Sequence, residues 1–220
     1  MITELTRMWL TRSTKPFLFK KEYDQELPFS DCDGLGLYVH IPFCRSICSF
    51  CPYCKTLYSE EACSRYIDAL IREIHLAGSQ IPGKKIVTSL YFGGGTPALA
   101  ADRIKEIIDA IQEHFIITQG IGIELHPENI TPRTLHILKE AGITKLSIGI
   151  QSFQEKFQKL LGRTGADMDS LKAALSQVPF ETVSMDFIFA LPSQTFGDLK
   201  ADVDAAFEAG ANHVALYPFI

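Results

Sequence analysis

Four of the six cysteines lie within eleven residues of one another. Cys44, Cys48 and Cys51 are separated by three and then two residues, and Cys54 follows. Thiolates are the side chains that hold iron–sulfur clusters, and such short spacings let one loop fold around a cube of iron and sulfur. Because three thiolates leave one iron of the cube without a protein ligand, that iron is free to bind a small molecule. The spacing therefore predicts a [4Fe-4S] cluster held by Cys44, Cys48 and Cys51.

Structural zinc is the alternative for these cysteines. Zinc usually takes four ligands arranged as two separated pairs, often with histidine. Here the cysteines form one tight group, and no further CxxC or HxxxH pair follows the segment, so a cluster is favoured over zinc. Cys54 also ends a CxxC spacing, but it is interpreted as a thiol outside the ligand set. Cys32 and Cys63 are interpreted as buried free thiols.

A glycine triplet and several histidines also fall where strands are predicted to end. The segment Gly93-Gly94-Gly95-Thr96-Pro97 follows the second predicted strand. Consecutive glycines let a backbone approach a ligand closely, although a glycine triplet alone is only a flexible turn. His40, His126 and His213 also sit near strand ends, and they are interpreted as hydrogen-bonded residues without a chemical role.

The elements that would position these residues alternate from Leu35 onward. Short runs of β-branched and aromatic residues are followed by longer amphipathic stretches, which predicts βα units and a parallel sheet. The predicted strands are Leu35–Ile41, Ser89–Phe92, Ile121–Leu125, Lys145–Ile150, Thr182–Phe189 and His213–Pro218. The predicted helices are Glu60–Leu76, Asp102–His114, Pro132–Ala141, Asp169–Gln177 and Thr195–Ala209, with Gly142 and Gly210 at positions typical of helix C-caps.

Six strand–helix repeats predict an α/β fold, a partial (β/α)6 barrel, with a flavodoxin-like doubly wound sheet as the alternative. In both architectures ligands bind at the carboxyl ends of the strands. Residues 1–34 show no sustained period and are expected to form an irregular lead-in, and residues 35–220 to form the core. The chain ends directly after the sixth strand, so we expect the natural protein to continue with a covering helix and a C-terminal domain.

Composition narrows the class of protein. The net charge of −5 and pI near 5.7 argue against a nucleic-acid-binding or anionic-lipid-binding surface, which needs a cationic excess. The N-terminal stretch interrupts its apolar residues with Arg7, Arg12 and Lys15, unlike a signal peptide, and no run is long enough for a membrane span. We therefore expect a cytoplasmic protein with reduced thiols and a small-molecule or protein substrate.

The cysteine spacing in a loop after the first strand, together with the glycine triplet, resembles the radical S-adenosylmethionine (SAM) superfamily. Further segments resemble its oxygen-independent coproporphyrinogen III oxidase family, which includes haem chaperones, anaerobic haem-degrading enzymes and a class of SAM-dependent methyltransferases. These segments begin at Tyr38, Ser147, Leu161 and Met185 and read YVHIPFC, SIGIQSF, LGRT and MDFIFALPSQT. The resemblance implies a (β/α)6 barrel of the radical SAM type, SAM as second cofactor, an electron donor such as flavodoxin or ferredoxin, and a tetrapyrrole or related small-molecule substrate.

The resemblance also implies a set of SAM-contacting positions. They are Tyr38, Gly94, Gly95, Thr96, Glu124, Gln151, Arg163 and Asp186, with Ile220 at a further cofactor-contacting position. Carboxylates suit the two hydroxyls of a ribose, and the planar guanidinium of an arginine suits the SAM carboxylate. Surface salt bridges for Glu124 and Asp186, a helix-start role for Gln151 and an apolar strand end for Ile220 are the alternative interpretations.

The sequence departs from the family after the third cluster cysteine. The coproporphyrinogen oxidases carry another cysteine two positions on, where this chain has Tyr53, and the haem chaperones usually carry an aspartate and an aromatic residue where it has Pro52 and Tyr53. Three readings follow: a radical SAM oxidoreductase acting on a tetrapyrrole, a haem-binding chaperone on the same scaffold, or a radical methyltransferase. A simple iron–sulfur electron carrier is disfavoured, because a carrier needs no SAM pocket.

Overall fold

The computed structural model describes residues 32–163 and 167–219. The strands are β1 (Leu35–Ile41), β2 (Phe43–Cys44), β3 (Thr56–Leu57), β4 (Lys85–Gly94), β5 (Phe115–Ile117), β6 (Ile121–Leu125), β7 (Ile143–Gln151), β8 (Thr182–Phe189) and β9 (His213–Pro218). The helices are α1 (Glu60–Ser79), α2 (Ala101–His114), α3 (Pro132–Glu140), α4 (Glu155–Leu160), α5 (Met168–Gln177) and α6 (Phe196–Glu208). Short 3₁₀ turns lie at Pro97–Ala100 and Pro127–Asn129.

The main sheet has the order β1-β4-β6-β7-β8-β9, and every pair in it is parallel. Strands that follow one another in the chain are therefore neighbours in the sheet, with short β5 attached to the start of β4. A doubly wound sheet would reverse its strand order near the middle, and this sheet does not. The predicted partial barrel is confirmed, and the flavodoxin-like alternative is wrong.

The strand side chains alternate between a core face and an inner face, as the period of two in a strand requires. The core residues pack between the sheet and its helices. Those on the main sheet are Val39, Ile41, Val87, Leu90, Phe92, Phe115, Ile121, Ile123, Leu125, Ile143, Leu146, Ile148, Ile150, Val183, Met185 and Phe187. The inner face is polar: Glu124, Ser147, Ser184 and His213 lie in one register row across four strands. The curled sheet thus places polar groups on its hollow side.

Local signals explain where the helices start and stop. Ser59 and Thr195 precede α1 and α6, and each side chain accepts a hydrogen bond from a backbone N–H of the first turn. Gly142 and Gly210 follow α3 and α6 with φ of 94° and 103°, the left-handed region that glycine adopts at helix ends. Because these signals are short-range, the predicted ends of these helices agree with the observed ends to within three residues.

Several details differ from the sequence prediction. The second and fourth predicted strands extend at both ends, because their edge residues still find ladder partners. The strands β2, β3 and β5 and helix α4 were not predicted, since elements of two to six residues carry too little periodicity. Cys63 is buried as predicted, but Cys32 is exposed, which corrects its assignment as a buried thiol.

Some predictions concern residues outside the described ranges. They are most of the N-terminal lead-in, Thr164 and Ile220. Residues 32–34 form no helix or strand. Among the described residues, no helix combines the length and apolarity needed to cross a bilayer.

Candidate functional site

A cavity of about 350 Å³ opens at the carboxyl ends of the strands. The cysteine loop forms one wall, and the ends of β4, β6, β7, β8 and β9 form the others. The predicted site residues that line it are Cys44, Cys48, Cys51, Gly94, Gly95, Thr96, Glu124, Gln151, Arg163 and Asp186. Residues from Cys44 to Asp186, which span 143 positions of sequence, are therefore brought to one place by the fold.

The cysteine loop is closed at its base by the small sheet of β2 and β3. Thr56 N donates to the Pro42 carbonyl at 2.7 Å, and Tyr58 N donates to the Cys44 carbonyl at 2.8 Å. The Thr96 hydroxyl lies 3.9 Å from the Cys44 Sγ, and burial raises the pKa of the Cys44 thiol. Cys44, Cys48 and Cys51 are half-buried. The three thiols thus lie on a loop whose two ends are held together.

Cys54 differs from those three cysteines. Its side chain is exposed and does not line the cavity. Its carbonyl lies 3.0 Å from His40 Nε2, so His40 anchors the backbone of the loop end. Lys55, the next residue, lines the cavity and donates to the Cys51 carbonyl.

The glycine triplet packs directly against the chain that leads into the cysteine loop. A Cβ on Gly94 would lie 2.7 Å from the Ile41 carbonyl oxygen, and one on Gly95 would lie 2.6 Å from the Phe43 carbonyl oxygen. Gly94 also has φ of 130°, which favours glycine. Gly95 N and Thr96 N donate to Ile41 and Phe43 at 2.9 and 2.7 Å. The triplet therefore fixes the loop as well as lining the cavity.

Glu124 and Asp186 place two carboxylates on the cavity wall. Glu124 Oε2 accepts from Gly94 N at 3.1 Å, and burial raises the pKa of this carboxyl. Asp186 accepts from Ser147 Oγ at 2.6 Å and from Ser184 Oγ at 3.3 Å, and burial raises its pKa too. Within the described ranges neither carboxylate forms a salt bridge, so the surface salt-bridge interpretation is wrong.

Arg163 supplies a cation to the same cavity. Its Nη1 donates to the Gly149 carbonyl at 2.7 Å, and its buried Nε has no hydrogen-bond partner among the described residues. Burial lowers the pKa of Arg163, while the nearby cysteines act in the opposite direction. A partly unsatisfied guanidinium beside three thiols is arranged to receive an anion. Burial and Arg163 together lower the pKa of neighbouring His126 to about 4.

Gln151 ends β7 in an unusual backbone conformation. Its φ is 71°, and the β7–β8 register shifts between Gly149 and Gln151. The next residues are held by buried Asp202, which accepts from Ser152 Oγ at 2.7 Å and from Phe153 N at 2.9 Å. Gln151 is thus turned into the cavity at a strand end, and the helix-start interpretation does not apply because α4 begins only at Glu155.

Among the predicted site residues that the structure describes, Tyr38 alone does not line the cavity. Tyr38 is 60% exposed, stacks on Tyr91 and bonds His40 Nδ1 at 3.1 Å without lining the cavity. Ile220 lies outside the described residues. The cavity also contains residues that were not selected from the sequence: Lys55, Leu99, His126, Asn129, Ser147 and Tyr217. Ser147 could have been found from strand alternation, since it is the polar residue between buried Leu146 and Ile148 in β7.

The donor set fits the cluster that the cysteine spacing predicted and the SAM that the family resemblance implied. Three thiols on one closed loop suit a cluster that keeps one iron open. The orphaned Arg163 Nε suits a carboxylate, and the two carboxylates suit amino and hydroxyl groups. The cavity volume lies within the range of about 300–1,000 Å³ typical of small-ligand sites.

Comparison with known proteins agrees with this arrangement. The haem chaperone HemW of Lactococcus lactis is 33% identical over 189 residues, covering 83% of this chain and 48% of the relative. The anaerobilin synthase of Escherichia coli is 35% identical over 187 residues, covering 82% and 42%. In structure, the chain is similar to coproporphyrinogen III oxidase from Escherichia coli, with TM-score 0.77 and 29% identity over 86% of this chain and 44% of the other.

The chain spans about half the length of the curated relatives it matches. The model of the Radical SAM superfamily matches residues 38–206, which contain the cysteine loop and every carboxylate and cation described above. The chain therefore belongs to the radical SAM superfamily, whose cofactors are a [4Fe-4S] cluster and SAM.

Proposed function

We propose that this protein is a radical SAM oxidoreductase that reductively cleaves SAM and directs the resulting radical at a tetrapyrrole or related substrate. One observation carries the proposal: a single cavity joins the cysteine loop to Glu124, Arg163 and Asp186. An electron carrier needs no such pocket.

Cys44, Cys48 and Cys51 are the proposed cluster ligands. They share one loop and the cavity wall, whereas exposed Cys54 lies outside it. The base of the loop is held by β2–β3 pairing and by the glycine triplet, which limits the reorganisation needed on cluster binding. When bound, the cluster supplies the electron that breaks the sulfonium carbon–sulfur bond of SAM.

The remaining cavity residues orient SAM in this proposal. Arg163 binds its carboxylate, because the buried Nε–H of its guanidinium has no partner among the described residues. Glu124 and Asp186 accept hydrogen bonds from its amino and ribose hydroxyl groups. Gln151, Gly94, Gly95 and Thr96 line the same wall and provide further polar or backbone contacts. His126 stays neutral near pH 7, so it adds no second positive charge beside Arg163.

The proposed substrate class is inferred from the names of the related proteins. The names of a haem chaperone and a coproporphyrinogen III oxidase refer to haem and to a porphyrinogen, and that of an anaerobilin synthase refers to a bilin. The proposed electron source is a small redox protein such as flavodoxin or ferredoxin. The test supplies the anaerobically reconstituted protein with SAM, a low-potential reductant and either haem or coproporphyrinogen III. We expect 5′-deoxyadenosine and methionine to form and the tetrapyrrole absorbance to shift.

A haem-binding chaperone is the second candidate. The HemW relatives favour it, and so does Tyr53 at the position where the oxidases carry a cysteine. Tight haem binding without SAM consumption would replace the enzymatic proposal with the chaperone. A product with vinyl groups would identify the oxidase reaction. Binding of neither tetrapyrrole, with SAM still cleaved, would turn the search to methyl transfer or another radical reaction.

A further inference from the structure

A second group of metal-ligating side chains lies outside the cavity. His75 is near the end of α1, and Glu113 and His114 form the last turn of α2. His75 Nδ1 lies 3.0 Å from His114 Nε2 and 3.7 Å from Glu113 Oε2. One ligand atom from each residue falls within 4.8 Å of the other two.

The group is at the opposite edge of the sheet from the cavity. After α1 the chain enters β4 at Lys85, and after α2 it enters β5 at Phe115, so the ends of both helices meet the amino ends of strands. The cavity lies at the carboxyl ends. The group therefore shares no residue with the cysteine loop or with the proposed SAM contacts.

Its dimensions match those of a zinc site. Zinc binds histidine nitrogen at about 2.0–2.1 Å and carboxylate oxygen at about 2.0–2.2 Å, so ligand atoms of a tetrahedral site are about 3.3–3.4 Å apart. The distances of 3.0 and 3.7 Å lie on either side of that separation. Two imidazoles and one carboxylate would leave the fourth position to water, as in zinc sites with three protein ligands.

The position of His114 is fixed by packing. A Cβ on Gly78 would lie 2.2 Å from Cγ of His114, so the imidazole occupies the space that a side chain on α1 would need. Gly78 is buried and sits three residues after His75 on the same helix. This close approach holds a ligand on α2 against α1, which reduces the conformational entropy lost when an ion binds.

A hydrogen bond between two neutral imidazoles would also explain the 3.0 Å separation. With neutral imidazoles it leaves Glu113 unexplained, because the carboxylate lies 3.7 Å from the same His75 nitrogen, beyond hydrogen-bonding distance, and forms an ion pair there only if His75 is protonated. A shared cation explains all three groups together. We infer that His75, Glu113 and His114 bind a divalent zinc-class ion that bridges α1 and α2 separately from the cluster.

The test measures zinc binding to the anaerobically reconstituted, cluster-loaded protein by equilibrium dialysis. We expect one zinc ion to bind per chain, with the iron content of the cluster unchanged. His75→Ala and Glu113→Gln should each weaken this binding by at least about 100-fold, since even a changed outer-shell partner costs about 10- to 100-fold. His136→Ala, on the exposed face of α3, is the matched control and should bind zinc normally.

X-ray absorption at the zinc edge separates this site from the cysteines. Nitrogen and oxygen ligands at about 2.0–2.1 Å support the inference, and a sulfur shell at about 2.3 Å overturns it. Unchanged zinc affinity in both variants also overturns it, as does failure to bind zinc at all. Circular dichroism and iron content verify folding, and Glu113→Gln, at an exposed position, keeps the helix packing.

Discussion

The cavity places one half-buried cation, Arg163, and two half-buried carboxylates, Glu124 and Asp186, beside three thiols. Burial disfavours the charged form of each group. It raises the pKa of Glu124 and Asp186 and lowers that of Arg163. Burying such groups costs free energy unless they find partners, and Arg163 Nε lacks one within the described residues. That cost is consistent with residues kept for a ligand rather than for stability.

The assignment of three cysteines as cluster ligands can be tested by single substitutions. Cys44→Ala, Cys48→Ala and Cys51→Ala should each abolish the [4Fe-4S] cluster, because three thiolates leave no spare protein ligand. Cys54→Ala should retain it, since that side chain is exposed. Iron and sulfide content with electron paramagnetic resonance after anaerobic reconstitution measures both. Equal cluster loss in Cys54→Ala would contradict the assignment.

Glu124→Gln tests a proposed SAM contact. A hydrogen bond to a charged group contributes about 1.5–3 kcal/mol, so SAM affinity should fall by about 10- to 100-fold. The amide can still accept from Gly94, so cluster content should be unchanged. Equilibrium dialysis with labelled SAM measures the change, and Glu140→Gln at the exposed end of α3 is the control. Unaltered affinity would remove Glu124 from the SAM site.

The cysteine loop is held in place by contacts with two strands, β3 and β4. The base of the cysteine loop is bonded to β3, and its approach is packed against the end of β4 through Gly94 and Gly95. The backbones approach so closely here that a Cβ on Gly94 or Gly95 would overlap the carbonyl oxygen of Ile41 or Phe43. The position of the thiols therefore depends on a strand end about fifty residues away in sequence.

Gly95→Ala should displace the loop. Its Cβ would fall 2.6 Å from the Phe43 carbonyl oxygen, a backbone atom that cannot move aside alone. We expect a loss of about 1–3 kcal/mol in the free energy of unfolding and a lower yield of reconstituted cluster. Gly36→Ala in β1 is the control, because a Cβ there meets nothing within 4 Å. Full cluster loading in Gly95→Ala would contradict this role.

At the level of the whole molecule, the half-barrel packs its core between sheet and helices and leaves the inner face polar. In a closed small barrel, side chains would fill the interior. Here the inner face instead borders a cavity that admits a ligand. Ionisable groups on that face therefore link pH to the stability of the complete fold.

His126 provides the test of that link. Its pKa is lowered to about 4 in the folded chain, against about 6.5 when unfolded, so the unfolded chain binds more protons between these values. Stability should be fully present above about pH 6.5 and fall on acidification, by at most about 3 kcal/mol from this residue. Urea unfolding of cluster-free protein measures it, and His126→Gln should flatten the dependence. An equally steep dependence in that variant would refute the role of His126.

The sequence by itself determined the cysteine loop, the βα alternation and most bounds of the longer strands and helices. These features depend on residues that are close together in the chain. Cysteine spacing, a period of two in strands and helix caps at Ser59 and Thr195 are all short-range features. The resemblance to a known family added the SAM positions. Elements of two to six residues, such as β2, β3 and α4, escaped because they span less than two periods.

Only the tertiary structure decided which distant residues meet. It brought Arg163 to the Gly149 carbonyl, packed Gly95 against Phe43 and kept Tyr38 off the cavity wall. It also joined His75 to His114 across two helices, 39 residues apart in the chain. Such contacts depend on sheet curvature and helix packing, which sum many weak long-range interactions, and no local spacing encodes them.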